Sequence, residues 1–415
     1  MKKNGNDNIL MNKNFALLFW GKLISQLGDS IFTFALIWHI MNLTGAAIQS
    51  GFILALAAIP SIILGPIGGV IADKYNRVKI IVSMDIIRGI IMTGLLILQL
   101  SNKLDLIHIY TSVILLSVFG ALFTPACTAI IPNIVVEEKL MAANSLDSIL
   151  VNVSQIFGAL LGAIIYQILG LEGILIINAI SFIGSGMFEM FIKLQYHNQS
   201  YDKFSIENSM YEVKMGFKYL YSNKSLFVLF IFLIFWNFWI FPIMQVYLPY
   251  IFNNILNASA LQLSLVQISF GIGVILASIT INKKITFYNK HITTSYLMVS
   301  IILFCNTLTL SPCMKNVSLN IIVGIYFVVS LLCGVFIGRG YIPVGVVYQK
   351  DVPDEIRGRI NSILFTFEKL SVPFGFCFAG ALAGKVDMYI LNAFSTFILI
   401  IACVLLKKSE AMKRL

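Results

Sequence analysis

The chain has 415 residues, of which 58% are hydrophobic and 12% charged, with a formal net charge of +10. Soluble domains carry about 25% charged residues, so this balance excludes a soluble domain and points to a chain that crosses a bilayer repeatedly, at ~20 apolar helical residues per crossing. The bases do not form a nucleic-acid groove, because most of them fall in the breaks between alternate apolar segments.

The N-terminal stretch MKKNGNDNILMNKN is polar and has no cleavage site after it, so it reads as a cytoplasmic tail leading into the first span. Apolar segments follow near 15–40, 48–72, 79–100, 106–131, 146–169, 173–194, 226–252, 261–282, 292–311, 318–347, 358–384 and 387–406. The spacing predicts an all-α integral membrane protein with twelve transmembrane helices in two six-helix halves. The halves are 1–194 and 226–415. The linker, 195–225, carries an amphipathic helix expected to lie on the cytoplasmic face. With the N-terminus inside, 22 bases fall in cytoplasmic segments and three (Lys103, Lys315, Lys385) in external loops; four (Lys22, Arg88, Arg339, Lys369) lie within spans. That asymmetry places both termini in the cytoplasm. The six cysteines and four histidines have no metal-ligand or redox spacing, so no cofactor is expected and the cysteines read as small packing residues. A bias towards Lys, Asn and Ile fits an AT-rich bacterial genome.

The halves resemble each other. Pro125, Glu137-Glu138 and Asn144-Ser145 in the first correspond to Pro343, Asp354-Glu355 and Asn361-Ser362 in the second; the acidic pairs and the Asn-Ser pairs share one offset of 217. Either Asn-Ser pair could instead simply cap a helix. A parallel six-span repeat is an established transporter plan.

Between spans two and three the chain reads GPIGGVIADKYNRVKIIVSMDIIRG, residues 65–89. Gly65, Gly69, Asp73, Lys74 and Arg77 resemble the signature loop of the major facilitator superfamily, with Asn76 where that family usually has Gly. Asn tolerates a left-handed turn best after Gly, so the departure is mild. FTPACTAIIPNIVVEEKLMAANSL (123–146), VPDEIRGRINS (352–362) and SQLGD (25–29) resemble the superfamily's bacterial drug:proton antiporter branch. That branch includes macrolide-efflux proteins, enterobactin-type siderophore exporters and a lysophospholipid transporter. The resemblance implies a gating loop in which Asp73 faces the start of span eleven, near Arg357 and Arg359, when the cytoplasmic side is closed; a helix start attracts an anion. It also implies that spans one, four, seven and ten line a central cavity.

Ionisable residues within spans are costly and ask for a role. Lys22, Gln26, Asp29 and Thr33 share one face of the first span. Asp29 is read as either a proton carrier or a structural partner of Lys22 or Arg339. Asn237, Phe241 and Gln245 share a face of the aromatic span seven and suit a bulky amphipathic molecule. Asp85 and Arg88 are expected to support the gating loop. Glu368 and Lys369 are neighbours pointing apart, Arg339 being the expected partner of Glu368. Glu189 is assigned to the inner interface, solvated or snorkelling. Gly158 and Gly162 read as close helix packing. Two features of the branch are missing: the charged residue of span four and the Gly-Pro of span five.

The sequence is thus expected to encode a monomeric, multi-pass exporter of the bacterial cytoplasmic membrane, taking a small-molecule substrate with protons as the coupling ion. Macrolide-like drugs are the first expectation, an endogenous siderophore or lysophospholipid the second. A non-transporting receptor or scaffold is the remote third, disfavoured by the short loops. Nothing resembles a nucleotide-binding loop, and no enzymatic activity is expected.

Overall fold

The computed structural model describes residues 10, 12–193, 206–280, 288–314 and 316–414. Lys2, Lys3, Lys203, Lys283, Lys284 and Lys315, used above to orient the chain, lie outside the described residues. The chain opens with α1 (Lys13–Thr44), α2 (Ala47–Lys74), α3 (Arg77–Leu100) and α4 (Leu106–Ile134). Next comes α5 (Leu140–Glu189), a 50-residue helix broken at Gly170, whose φ of 64° is open to glycine at little cost. The break divides it into two arms, 140–169 and 171–189. After the linker helix α6 (Ile206–Ser222) come α7 (Lys224–Ile255), α8 (Ala260–Thr280), α9 (Tyr288–Asn306), α10 (Leu319–Asp351), α11 (Asp354–Leu382) and α12 (Met388–Lys408). No strand occurs among the described residues.

Ten of the helical stretches are long and apolar enough to cross a membrane. One of them, Glu137–Glu189, has 53 residues, about 80 Å of helix at 1.5 Å per residue, which suffices for two crossings. The expected span absent from the ten is α11, with 29 residues; its length is sufficient, but Glu368, Lys369 and its charged start lower its apolarity. Among the described residues, each of the twelve segments expected from the sequence is therefore represented by helix.

The chain divides into two compact units. The first holds Met1–His39 with Leu56–Lys203, the second Ile40–Ala55 with Phe204–Leu415. Glycines let helices approach closely inside both. In the first unit a Cβ on Gly158 of α5 would overlap Ser30 of α1, and one on Gly162 would come within 2.9 Å of the Ile31 carbonyl. These two glycines pack helix on helix. In the second unit Gly375 of α11 lies against the Phe238 carbonyl of α7, and Gly273 of α8 against Gly334 of α10. The same unit joins the end of α1 and the start of α2 to later helices: Gly51 lies against Phe376, Gly380 against Ile48, and Asn254 Nδ2 donates to the Gly45 carbonyl at 3.0 Å. Gly158 and Gly375 stand 217 residues apart, the offset already seen in the acidic and Asn-Ser pairs. Val135 and Val352, which end α4 and α10 in extended conformation, keep the same offset.

Two local expectations change. Asn76 is not left-handed: with φ −61° and ψ 112° it caps α3, its side chain accepting from the Lys79 amide at 3.2 Å. A short polar side chain at that position satisfies an otherwise orphaned amide. Asn144 and Ser145 cap nothing, because α5 already begins at Leu140; Ser145 Oγ bonds back to the Met141 carbonyl at 2.8 Å. The side chains of Asp354, Glu355, Asn361 and Ser362 lie outside the described residues. The apolar side of α6 meets protein: Leu220 is fully buried, Phe217 sits edge-on to Phe367 at 5.0 Å, and Tyr219 donates to the Asp351 carbonyl at 2.8 Å.

Candidate functional site

The charges of the first unit converge on one another. Arg88, on α3, lies between two acids. Its Nη2 bonds Asp85 one turn earlier, and its Nη1 stands 3.7 Å from Asp29 Oδ2 on α1. The guanidinium lies over two rings, Phe123 of α4 at 4.2 Å and Phe182 of the second α5 arm at 4.4 Å. Cation–π contact of this kind compensates a cation for lost water. Lys22 is 5% exposed and pairs with Asp147 of the first α5 arm at 2.5 Å. Glu189, at the end of the second arm, is fully buried, with Cγ close enough that a Cβ on Gly21 would meet it at 3.0 Å. The same glycine-mediated approach recurs at Gly28 against Ser181 and Gly89 against Ile183. Tight packing of α1, α3 and α5 thus seals Asp85 and Glu189 from solvent, while Asp29 keeps 36% of its side chain exposed.

This arrangement corrects several expectations. Asp29 does not pair with Lys22 of its own helix; its basic neighbour is Arg88. Lys22 turns to Asp147, an acid that sequence reasoning passed over because it lies close to the start of its span. Arg88 pairs with Asp85 and with Asp29, and among the described residues neither Asp85 nor Arg88 forms an ion pair with the loop. Glu189 is neither solvated nor snorkelling, since burial is complete. Gln26 is half-buried on the α1 stripe, and Thr33 is exposed.

In the loop, Asp73 pairs with Arg77 at 3.0 Å. Arg77 also donates to the Ala72 carbonyl at 3.0 Å and the Ala129 carbonyl at 2.7 Å, and it bonds Asn133 Oδ1. One planar guanidinium therefore fastens the loop to the end of α4, which a lysine could not match. Lys74 is exposed, and Gly65 and Gly69 have open space where a Cβ would stand. The side chains of Arg357 and Arg359 lie outside the described residues.

In the second unit Glu368 lies beside Asn237, with Tyr296, Tyr341 and Tyr348 within electrostatic reach. Among the described residues no ion pair joins Glu368 to Arg339, whose Nη2 donates to Thr280 Oγ1 at 3.3 Å. Lys369 is exposed on the neighbouring face. Trp236 packs edge-on to Tyr296 at 4.6 Å and is core, whereas Phe241 is exposed. Past Pro242, α7 passes through π-helical turns at Ile243–Tyr247 and Ile251–Ile255. Asn237 and Gln245 are both half-buried, and the π turns change the angular step between Phe241 and Gln245.

Known proteins match across this framework. Macrolide efflux protein A of Streptococcus pyogenes is 23% identical over 377 residues, covering 90% of each chain. The putative bacilysin exporter BacE of Bacillus subtilis is 24% identical over 384 residues, covering 91% of each. Among solved structures, a bacterial homologue of the iron transporter ferroportin superposes with a TM-score of 0.68 at 15% identity, covering 97% of this chain and 100% of that one. That likeness fixes the fold, which is that of membrane transporters. With the Major Facilitator Superfamily model matched over residues 18–376, on top of the helix order and the Asp73–Arg77 loop, the chain belongs to the major facilitator superfamily.

Proposed function

We propose that the protein is a secondary exporter that moves amphipathic, macrolide-like molecules out of a bacterial cell by proton-coupled alternating access. The observation that carries this reading is the end-to-end match to macrolide efflux protein A, over 90% of both chains. The sealed charge cluster of the first unit supports proton coupling, since ionisable groups inside a span mark ion and proton relays. Substrate and proton bias opposite conformations through their differential affinities. A potential of ~100 mV supplies about 2.3 kcal/mol per charge and one pH unit about 1.4 kcal/mol; one proton can thus sustain a gradient of several hundred-fold for a neutral substrate. The lysine asymmetry between alternate loops supports the cytoplasmic membrane with both termini inside. Asp29, Gln26, Asn237, Phe241, Gln245, Arg339, Glu368 and Lys369 are the proposed substrate and proton contacts, with Lys22 as a structural support. Gly65, Gly69, Asp73, Lys74 and Arg77 form the proposed gating loop, acting in a monomer.

Expression in a drug-sensitive bacterium tests this. Steady-state macrolide accumulation should fall relative to an empty vector, and a protonophore should restore it. Equal accumulation from protein shown to be inserted would refute the macrolide reading. A second reading, export of an endogenous small molecule, draws on the match to the putative bacilysin exporter and on the cationic side chains Arg339 and Lys369, which suit an acidic siderophore better than a lysolipid.

A further inference from the structure

The second unit holds a cavity beside the π turns of α7. Tyr247 of α7, Asn306 at the end of α9, Tyr326 and Ser330 of α10, and Asn392 of α12 line it. Measured over the positions that the centre of a water molecule can take, it has about 20 Å³; one water needs roughly 10–15 Å³ on that measure. Asn306 is 6% exposed and Asn392 5%, yet among the described residues neither Oδ1 has a hydrogen-bond partner. The donors nearby are committed elsewhere. Asn306 lies within hydrogen-bonding reach of the Tyr326 hydroxyl. The Tyr326 and Thr309 hydroxyls bond each other at 3.1 Å, and Thr309 Oγ1 bonds the Asn306 backbone carbonyl at 2.7 Å. On the other side Tyr247 lies within reach of Ser395, whose Oγ bonds the Leu391 carbonyl at 2.8 Å. A carboxamide oxygen only accepts, and an acceptor buried without a donor is costly. The guest that fits must therefore donate to both oxygens, which water does. A metal ion would also be drawn to oxygens, but among the described residues no acid lines the cavity to offset the hydration the ion would lose.

We propose that this cavity is a water-binding site, its water donating to Asn306 and Asn392 and accepting from Ser330, and that it is a wet pivot for the second half of α7. Its position carries the second role. The π turn Ile243–Tyr247 takes backbone out of the regular α-helical ladder. Irregular backbone at membrane depth is tolerated where it lines a water-filled cavity. Bonds through water re-form after a small displacement, whereas interlocked side chains resist one. The π turn can thus shift against Asn306 of α9 and Asn392 of α12 without breaking a packed core. The site takes no transported substrate and stands apart from the exporter reading.

X-ray hydroxyl-radical footprinting of the purified full-length protein in detergent tests the site, because radicals generated from bound water mark the side chains beside it. Tyr247 is 1% exposed and Tyr326 3%, against 2% for Phe230, which lies on α7 away from the cavity. Both tyrosines should be labelled in the parent protein and Phe230 should not. Asn306→Leu with Asn392→Leu removes both acceptors; labelling of the two tyrosines should be lost, and amide hydrogen exchange over residues 243–250 should slow. Unlabelled tyrosines in the parent, which needs no substitution and hence no assumption about folding, would overturn the proposal. So would labelling that survives the double substitution. Labelling suppressed when sodium chloride replaces choline chloride would give the two oxygens to a cation and overturn the water site. Exchange over 243–250 that the double substitution leaves unchanged would overturn the pivot.

Discussion

The Lys22–Asp147 pair offers the sharpest test of how the first unit is held. Lys22 is 5% exposed, its ammonium lies 2.5 Å from Asp147, and the Asp147 side chain retains 25% exposure. Asp147→Asn leaves a buried ammonium facing a neutral amide. Breaking a buried pair from one side costs about 3–5 kcal/mol, and the partial exposure of Asp147 places this case at the low end, about 3 kcal/mol. That is roughly two orders of magnitude in the folded-to-unfolded ratio. Replacing both partners with apolar residues of similar length, Lys22→Met with Asp147→Leu, removes the two desolvation costs together and should return to within about 1 kcal/mol of the parent. The assay is equilibrium unfolding by SDS titration in mixed micelles, run as a double-mutant cycle. Single losses below about 1 kcal/mol that simply add in the double variant would refute the reasoning and return Lys22 to a water-filled environment.

Glycine contacts predict a contrast within one assay. Gly158→Ala and Gly375→Ala should each destabilise by about 1–3 kcal/mol through overpacking, since the added Cβ meets Ser30 or the Phe238 backbone. Gly345→Ala, in open space on α10, should be neutral or gain up to about 1 kcal/mol; equal effects at all three positions would contradict the packing described. Arg77→Lys keeps the charge but cannot hold Asp73 and the Ala72 and Ala129 carbonyls together, and should lose about 1–3 kcal/mol in the same titration. For orientation, an impermeant maleimide applied to intact cells should label the exposed Cys313, in the segment joining α9 and α10, and Cys313→Ser should abolish the signal. Labelling that requires permeabilised cells would reverse the proposed topology.

Fold and charge network were legible to different degrees. Twelve segments could be read because lipid forces every crossing to be a long apolar helix, a constraint written into each span separately. The repeat was visible at Pro125 and Glu137-Glu138, and its packing meaning emerged only with Gly158 and Gly375, whose shared offset is in the sequence but whose neighbours on α1 and α7 are not. Ion pairing was the least legible. Lys22 and Asp29 share a helix face and invite pairing with each other, yet helix-to-helix distances set by Gly21, Gly28 and Gly89 give Lys22 to α5 and Asp29 to α3. Glu189 was misread for a similar reason: position near a span end suggests solvent, and only the close approach of α1 at Gly21 closes it off. The π turns after Pro242 were not legible either, because they leave no mark in side-chain spacing.

Proton flux in everted membrane vesicles with an acid interior tests the central claim most directly. Addition of a macrolide should trigger proton release from the vesicle interior by the parent protein, and Asp29→Asn should abolish it. No proton movement on addition of a macrolide, a lipophilic cation, a siderophore or a lysolipid, from protein shown to be folded and inserted, would contradict the account of a proton-coupled exporter.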